Sequence, residues 1–418
     1  MKKYLLFVLL VFSFVLLGCG DDSIYKESTP KDGLLTNKLS VEEMKYDLDY
    51  YVDYVKNNHA KYDHSLSKEE FDNEIKRIEN NLENYTSDQF VFELVKLTAK
   101  IGDGNTYTNL DSTRTVNRNY LPFEARLFEE GYIITDIEET HKAYIGYKLT
   151  EINGVDIEEV VNKLCDYTSG DTYAGKKYNA VNNINFWDML YNAGIVSSKE
   201  VELTISNGTD EYKVTVKAYI NKKYSEVKFA TDEVELYSDY NKLYYSYSLE
   251  DRVLYIQYNY CGDMSSKSMK AFAEELKSYA KINIHKNIVL DLRHNNGGYQ
   301  ETIAPLFSLL RDFNREGGKV YVLIGSGTKG VAIINAMQLS NEGVGVLIGE
   351  PTGGLNNFYG TRKTVKLPKS LLSVTIATQY QEYFKGEEGV SLIPGDNVVQ
   401  TYADYINGVD SAIKFALK

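Results

Sequence analysis

The chain has 418 residues, of which 43% are hydrophobic and 25% charged, and a formal net charge of −13. That length accommodates two or three domains with substantial cores. The acidic balance excludes a non-specific nucleic-acid binder and electrostatic docking on anionic lipid.

Lys2 and Lys3 precede an apolar run from Tyr4 to Leu17, and Leu16-Leu17-Gly18-Cys19 closes it. The run is short for a membrane-spanning helix and has the shape of an export signal. A cysteine directly after Leu-Leu-Gly resembles the bacterial lipobox. The expectation for residues 1–19 is therefore a lipoprotein signal peptide, with Cys19 lipidated and the mature protein anchored at the bacterial cell surface or the periplasmic face of the membrane. Residues 20–39 mix Asp, Ser, Lys, Thr, Pro and Gly, the composition of a flexible tether. The two remaining cysteines, Cys165 and Cys261, match no metal spacing, and either a single disulfide or two buried free thiols would fit.

Helical periodicity begins at residue 40. Ser40-Val41-Glu42-Glu43 reads as a capping box ahead of Met44, Leu48, Tyr51 and Val55. A second helix is expected from Ser67, carrying Phe71, Ile75, Ile78 and Leu82, and a third from Ser87, carrying Phe90, Leu94, Leu97 and Ile101. Residues 40–115 are thus expected to form a helical cap. From Leu121 the texture is strand-like, with Phe123 to Phe128 and Tyr132 to Ile134 separated by Glu130-Gly131. Ile145 to Ile157 folds back at Asn153-Gly154 and leads into a helix from Glu158 to Cys165, and Val201 to Ile205 meets Tyr212 to Ala218 through Asn207-Gly208. Residues 116–225 resemble a PDZ-like β-rich module, with Asp166 to Lys199 as a large insertion. Residues 226–418 alternate strands (Val253 to Gln257, Asn287 to Leu292, Val320 to Ile324, Val344 to Ile348) with helices (Ser265 to Ala280, Glu301 to Phe313, Val331 to Leu339). Nearly continuous apolar strands separated by helices predict an α/β sheet covered on both faces.

Chemistry in such sheets concentrates where strands end and helices begin, because backbone N–H groups there are free to meet negative charge. Asn295-Asn296-Gly297-Gly298 follows the strand Ile288 to Leu292, and its glycines permit a backbone that aims N–H groups into a cleft. Gly297, Gly298 and the N–H of Val331 are the candidate anion-binding groove, of the kind acyl transfer uses for its oxyanion. No zinc spacing, P-loop or dinucleotide fingerprint is present, so neither metal nor cofactor is expected.

The string Asp291-Leu292-Arg293-His294-Asn295-Asn296-Gly297-Gly298 is similar to the D-L-R-x-N-x-G-G signature of the tail-specific, or C-terminal-processing, serine peptidases, a family that includes the tricorn core. The resemblance continues through Thr328 to Asn335, Gly349 to Gly354, Ile101 to Thr106, Asn58-His59, Phe71 and Asp404 to Asp410. It implies an α+β multidomain fold: a helical bundle, a PDZ-like module and a ClpP/crotonase-like α/β core. It also implies a nucleophilic serine at the start of a helix, with a histidine in D-G-H-T as base in the tricorn-like branch or a lysine about twenty-five residues after the serine in another.

The chain departs from that pattern at each catalytic position. Gly330 stands at the serine, Asn105 at the histidine, and Leu355 at the lysine. Glycine offers no nucleophile, and an asparagine amide accepts no proton near neutral pH. Loss of nucleophile and base together removes the mechanism rather than weakening it. Ser326 and His294 are the candidate substitutes, and Glu350 is similar to a residue of the family's cleft wall. Three readings follow: a lipid-anchored pseudopeptidase binding peptides or polypeptide tails, an active peptidase with relocated groups, and a structural surface protein.

Overall fold

The computed structural model of the chain describes residues 38–110, 118–220, 224–230, 242–249, 253–282 and 285–418. Cys19, the apolar run before it and the tether up to residue 37 lie outside them.

Three helices open the described chain, Val41–Asn58, Lys68–Glu79 and Ser87–Ile101. Each begins with a reciprocal capping box: Ser40 with Glu43, Ser67 with Glu70, and Thr86 with Gln89. The third cap sits one residue before the expected Ser87. These caps satisfy orphan backbone donors that would otherwise have only water. Leu48, Tyr51, Phe71, Phe90 and Leu94 form the shared core, but helices alone do not close it. Leu367, Leu372, Val374 and Ile376 complete it. They come from a hairpin of Phe358–Lys366 and Ser373–Gln381, and Tyr107–Asn109 pairs with the second of its strands. The buried Asp47 carboxylate locks the hairpin turn onto the first helix by accepting from the N–H of Lys369 at 2.9 Å and of Ser370 at 2.7 Å.

The second sheet is antiparallel, in the order Phe123–Phe128, Gly131–Ile137, Lys148–Ile152, Glu200–Ser206, Glu211–Lys217. Asn153 (φ 52°) and Gly154 (φ 73°) both take left-handed backbone where the chain turns back, as a tight type I′ hairpin requires. Helix Ile157–Cys165 lays Val160, Val161 and Leu164 on this sheet. The insertion from Asp166 to Lys199 shares the core of this sheet. Its helices, Tyr173–Val181 and Trp187–Asn192, contribute Ala180, Val181, Trp187 and Leu190 to the same apolar cluster.

The third sheet runs Tyr244–Leu249, Val253–Tyr258, Asn287–Asp291, Lys319–Ile324, Gly345–Gly349, Asp396–Asn397, antiparallel at the first pair and parallel thereafter. Val253–Tyr258 is buried along its whole length, as expected of a strand covered on two faces. Met269–Ile282, Ala304–Arg315 and Val331–Asn341 cover one face through Phe272, Leu306, Leu310 and Ile334. The short helix Ser411–Ala416 covers the other, with Ala412 and Ala416 against Tyr255, Val289 and Leu323. The fold is thus of mixed helix and sheet, and residues Thr36–Lys418 make one compact unit. Cys165 and Cys261 lie in separate apolar clusters and are both free thiols.

Candidate active site

The strand Asn287–Asp291 delivers its last residue into a brace. Asp291 accepts from the Arg293 N–H at 2.9 Å, from its guanidinium at 3.0 and 2.6 Å, and from the Tyr255 hydroxyl at 2.7 Å. Burial alone would raise the pKa of Asp291, but Arg293 prevails and holds it below the ordinary carboxylate value. The same guanidinium reaches Asp410 at 2.6 Å, and Asp410 caps the helix Ser411–Ala416. Asp-Leu-Arg therefore fixes the loop in place.

After the brace the chain turns into Asn295-Asn296-Gly297-Gly298. The Asn295 side chain donates to the Tyr258 carbonyl at 2.8 Å and accepts the Gly297 N–H at 2.9 Å. The Gly297 donor is thus spent within the loop. Among the described residues, the N–H groups of Gly298 and Val331 have no protein acceptor. Gly298 has φ 138°, and a Cβ there would sit 2.2 Å from the Cys261 carbonyl oxygen, so no other residue fits. Gly297 packs against the second donor: a Cβ on it would be 3.2 Å from the Val331 nitrogen.

Facing this loop is Gly325 to Gly330. Buried Thr328 pins it by donating to the Leu292 carbonyl at 2.8 Å and accepting the Gly325 N–H at 3.0 Å, while the Lys329 N–H bonds the Asn295 carbonyl at 2.9 Å. Gly330 caps the helix Val331–Asn341 with φ 55° and ψ −131°, a backbone shape that side chains disfavour. There is nevertheless room for a side chain. A Cβ would meet Gly297 Cα at 3.7 Å and Asn296 O and Phe358 Cε2 at 3.8 Å, all ordinary contacts. A strained turn entering a helix is the geometry in which other hydrolases hold a nucleophile. Here it presents a hydrogen atom.

Asn105 lies by the strand that also packs on Gly330: its amide donates to the Tyr359 carbonyl at 2.7 Å, one residue from Phe358. Behind it is His59, for which the sequence carries no chemical signal beyond the family resemblance at Asn58-His59. His59 is buried, its Nδ1 accepts the Lys61 N–H at 3.0 Å, and its Nε2 lies 3.0 Å from Asp103 and 3.1 Å from the Thr106 hydroxyl. With Nδ1 accepting, the ring proton is on Nε2 and points to Asp103. This histidine–carboxylate pair braces the Asp103 to Thr106 turn from inside.

Beneath the same turn sits a second unannounced group. The Gly104 N–H donates to Asp171 at 2.9 Å. Loss of solvent pushes the Asp171 carboxyl up to about 7, against the opposing pull of that N–H. Lys329, whose amine is bonded to Asn179 at 3.2 Å, is lowered by burial, with Asp171 opposing. No spacing rule would pair Asp171 with Asn105; the insertion brings it there, with Thr172 bonded to the Gly353 carbonyl at 2.9 Å.

Ser326 and His294 lie elsewhere. Both line a cleft of about 930 Å³, together with Arg126, Tyr178 and Glu350, and Gly298, Gly330 and Val331 do not line it. His294 Nδ1 is 3.2 Å from the Tyr178 hydroxyl, and burial pushes the imidazole down to about 4. Glu350 is pushed up by burial, with Arg293 opposing.

No family model and no curated protein matches the sequence. Solved structures do match. Mature CPAF complexed with lactacystin superposes with a TM-score of 0.64 at 12% identity, over 90% of this chain and 97% of that one. A serine-to-alanine mutant of CPAF gives 0.62 at 12% identity, over 88% and 95%. The fold is that of CPAF. The photosystem II D1 C-terminal processing protease is also similar, with a TM-score of 0.39 at 11% identity, over 85% of this chain and 92% of that one. Within this fold, the N–H groups of Gly298 and Val331 stay unspent among the described residues, and position 330 lacks a side chain.

Proposed function

We propose that this chain is a pseudopeptidase that binds an extended peptide or a polypeptide C-terminus in the groove beside Gly330. The observation that carries the reading is a combination across two packed loops: unspent N–H groups on Gly298 and Val331, and no nucleophile at Gly330, which packs on Gly297. Unspent backbone donors suit a carboxylate or a peptide carbonyl as well as they suit an oxyanion. In this reading residues 116–225 act as a PDZ-like module, and its edge strand Phe123–Phe128 lines the cleft that holds Ser326 and His294. The helical cap (40–115) and the α/β core (226–418) complete the layout. Lipidation at Cys19 would hold the protein on the extracytoplasmic face of the membrane, and Cys19→Ser should move it from the membrane fraction to the soluble one.

The rival reading, hydrolysis by relocated groups, is favoured by one observation: Ser326 and His294 share a cleft. One experiment separates the two. Residues 20–418 are incubated with a diverse peptide library, and solution and retained fractions are read by mass spectrometry. Intact peptides retained with a common tail support the binding reading. New cleavage products that vanish in Ser326→Ala or His294→Ala would replace it with a rebuilt peptidase, and neither products nor retention would leave a structural surface protein.

A further inference from the structure

The two unspent donors belong to different elements. Gly298 ends the loop that begins at Asn295, whereas Val331 opens the helix Val331–Asn341. An anion held by both requires a fixed spacing between loop and helix. Behind them lies a polar chain inside an otherwise apolar cluster. Asn335, one turn into the helix, donates its amide to Cys261 Sγ at 3.4 Å. The Cys261 thiol donates to Asn295 Oδ1 at 3.5 Å, the same oxygen that receives the Gly297 N–H. Cys261 also clamps the loop by its backbone, bonding the Gly297 carbonyl at 2.9 Å and the Tyr299 N–H at 2.6 Å. Cys261, Asn295 and Asn335 are at most 1% exposed.

Such a chain is costly in place of apolar side chains, because thiol hydrogen bonds are weak and buried amides need partners. Asn335 Oδ1 is indeed buried without one. Burial pushes the Cys261 thiol up to about 11, so it stays protonated and able to donate near neutral pH.

We propose that Cys261 is a positioning residue: by joining Asn335 on the helix to Asn295 on the loop, it sets the spacing of the Val331 and Gly298 donors. The proposal gives a purpose to the groove reading above and rests on it for function, though not for its test. Hydrogen exchange read by mass spectrometry on the full chain decides it. Cys261→Ala should speed exchange about tenfold in the segments 295–299 and 328–335 only, and Cys261→Ser, which retains a donor, should restore it to within about twofold. Asn335→Ala should reproduce the alanine pattern, and it decides the matter if Cys261→Ala fails to fold. Unchanged exchange in those segments, an even rise across the parallel sheet, or a serine variant that behaves like alanine would each overturn the proposal. Exchange reads the spacing whether or not a peptide binds, so failure of the groove reading in the library experiment is a separate result.

Discussion

At the scale of single residues, Gly330 combines an open space with a forbidding backbone. A serine Cβ there meets nothing closer than 3.7 Å, but the residue must hold a positive φ, at about 1–3 kcal/mol of strain. Gly330→Ser should therefore fold with a melting temperature lowered by a few degrees, and by itself it should remain unreactive to a fluorophosphonate probe, since no base faces it. Gly330→Ser with Asn105→His should react. Absence of labelling in a folded double variant would show that the groove has lost more than two side chains. Asp171 yields a pH prediction. Its folded pKa of about 7 lies above its ordinary 3.8, so between those values the folded state binds more protons than the unfolded state. Stability contributed by this group therefore falls as pH rises from about 4 to about 7. Asp171→Asn should flatten that slope in denaturant melts taken at pH 4, 5.5 and 7. An unchanged slope would mean that Lys329 compensates the charge.

At the scale of elements, periodicity and punctuation were informative where a segment satisfies its own needs. The capping boxes at Ser40 and Ser67, the Asn153-Gly154 turn and the buried strand Val253–Tyr258 all carry local signals, and the structure has each of them. The hairpin Phe358–Lys366 with Ser373–Gln381 was missed for a physical reason. Its first strand buries only Phe358 and Gly360, and residues 361–364 are exposed, so the apolar alternation that marks a half-buried strand is absent. The second strand's apolar side chains face a partner 300 residues away in sequence. Ile376 is fully buried in that shared core, and Ile376→Ala should cost about 2–5 kcal/mol in equilibrium unfolding. A loss below 1 kcal/mol would mean the hairpin is dispensable to the helices.

At the scale of the whole molecule, the chain does not divide where composition changes. The N-terminal helices need Leu367, Leu372, Val374 and Ile376 from the far end of the chain. Tyr402 and Tyr405 likewise pack on Phe128 of the antiparallel sheet. A fragment of residues 40–115 should therefore show weak, non-cooperative helix by circular dichroism, and adding residues 355–385 in trans should increase it. A cooperative melt of the fragment alone would count against a shared core.

The same division separates what could be read from residues and what could not. The three N-terminal helices and their caps, the strands and helices of the parallel sheet, the Asp291 to Gly298 string and the missing side chain at 330 follow from the sequence itself, because backbone propensity and residue chemistry are local properties. Which donors remain free was decided only in three dimensions. The Gly297 N–H is consumed by Asn295, a contact of two residues that depends on Tyr258 and Cys261 holding the amide in place. His294 and Ser326, near the motif in sequence, line a cleft that Gly330 does not. His59, Asp103 and Asp171 meet at the Asn105 turn because burial gathers polar groups that lack water around one another, and no spacing in one dimension records that gathering.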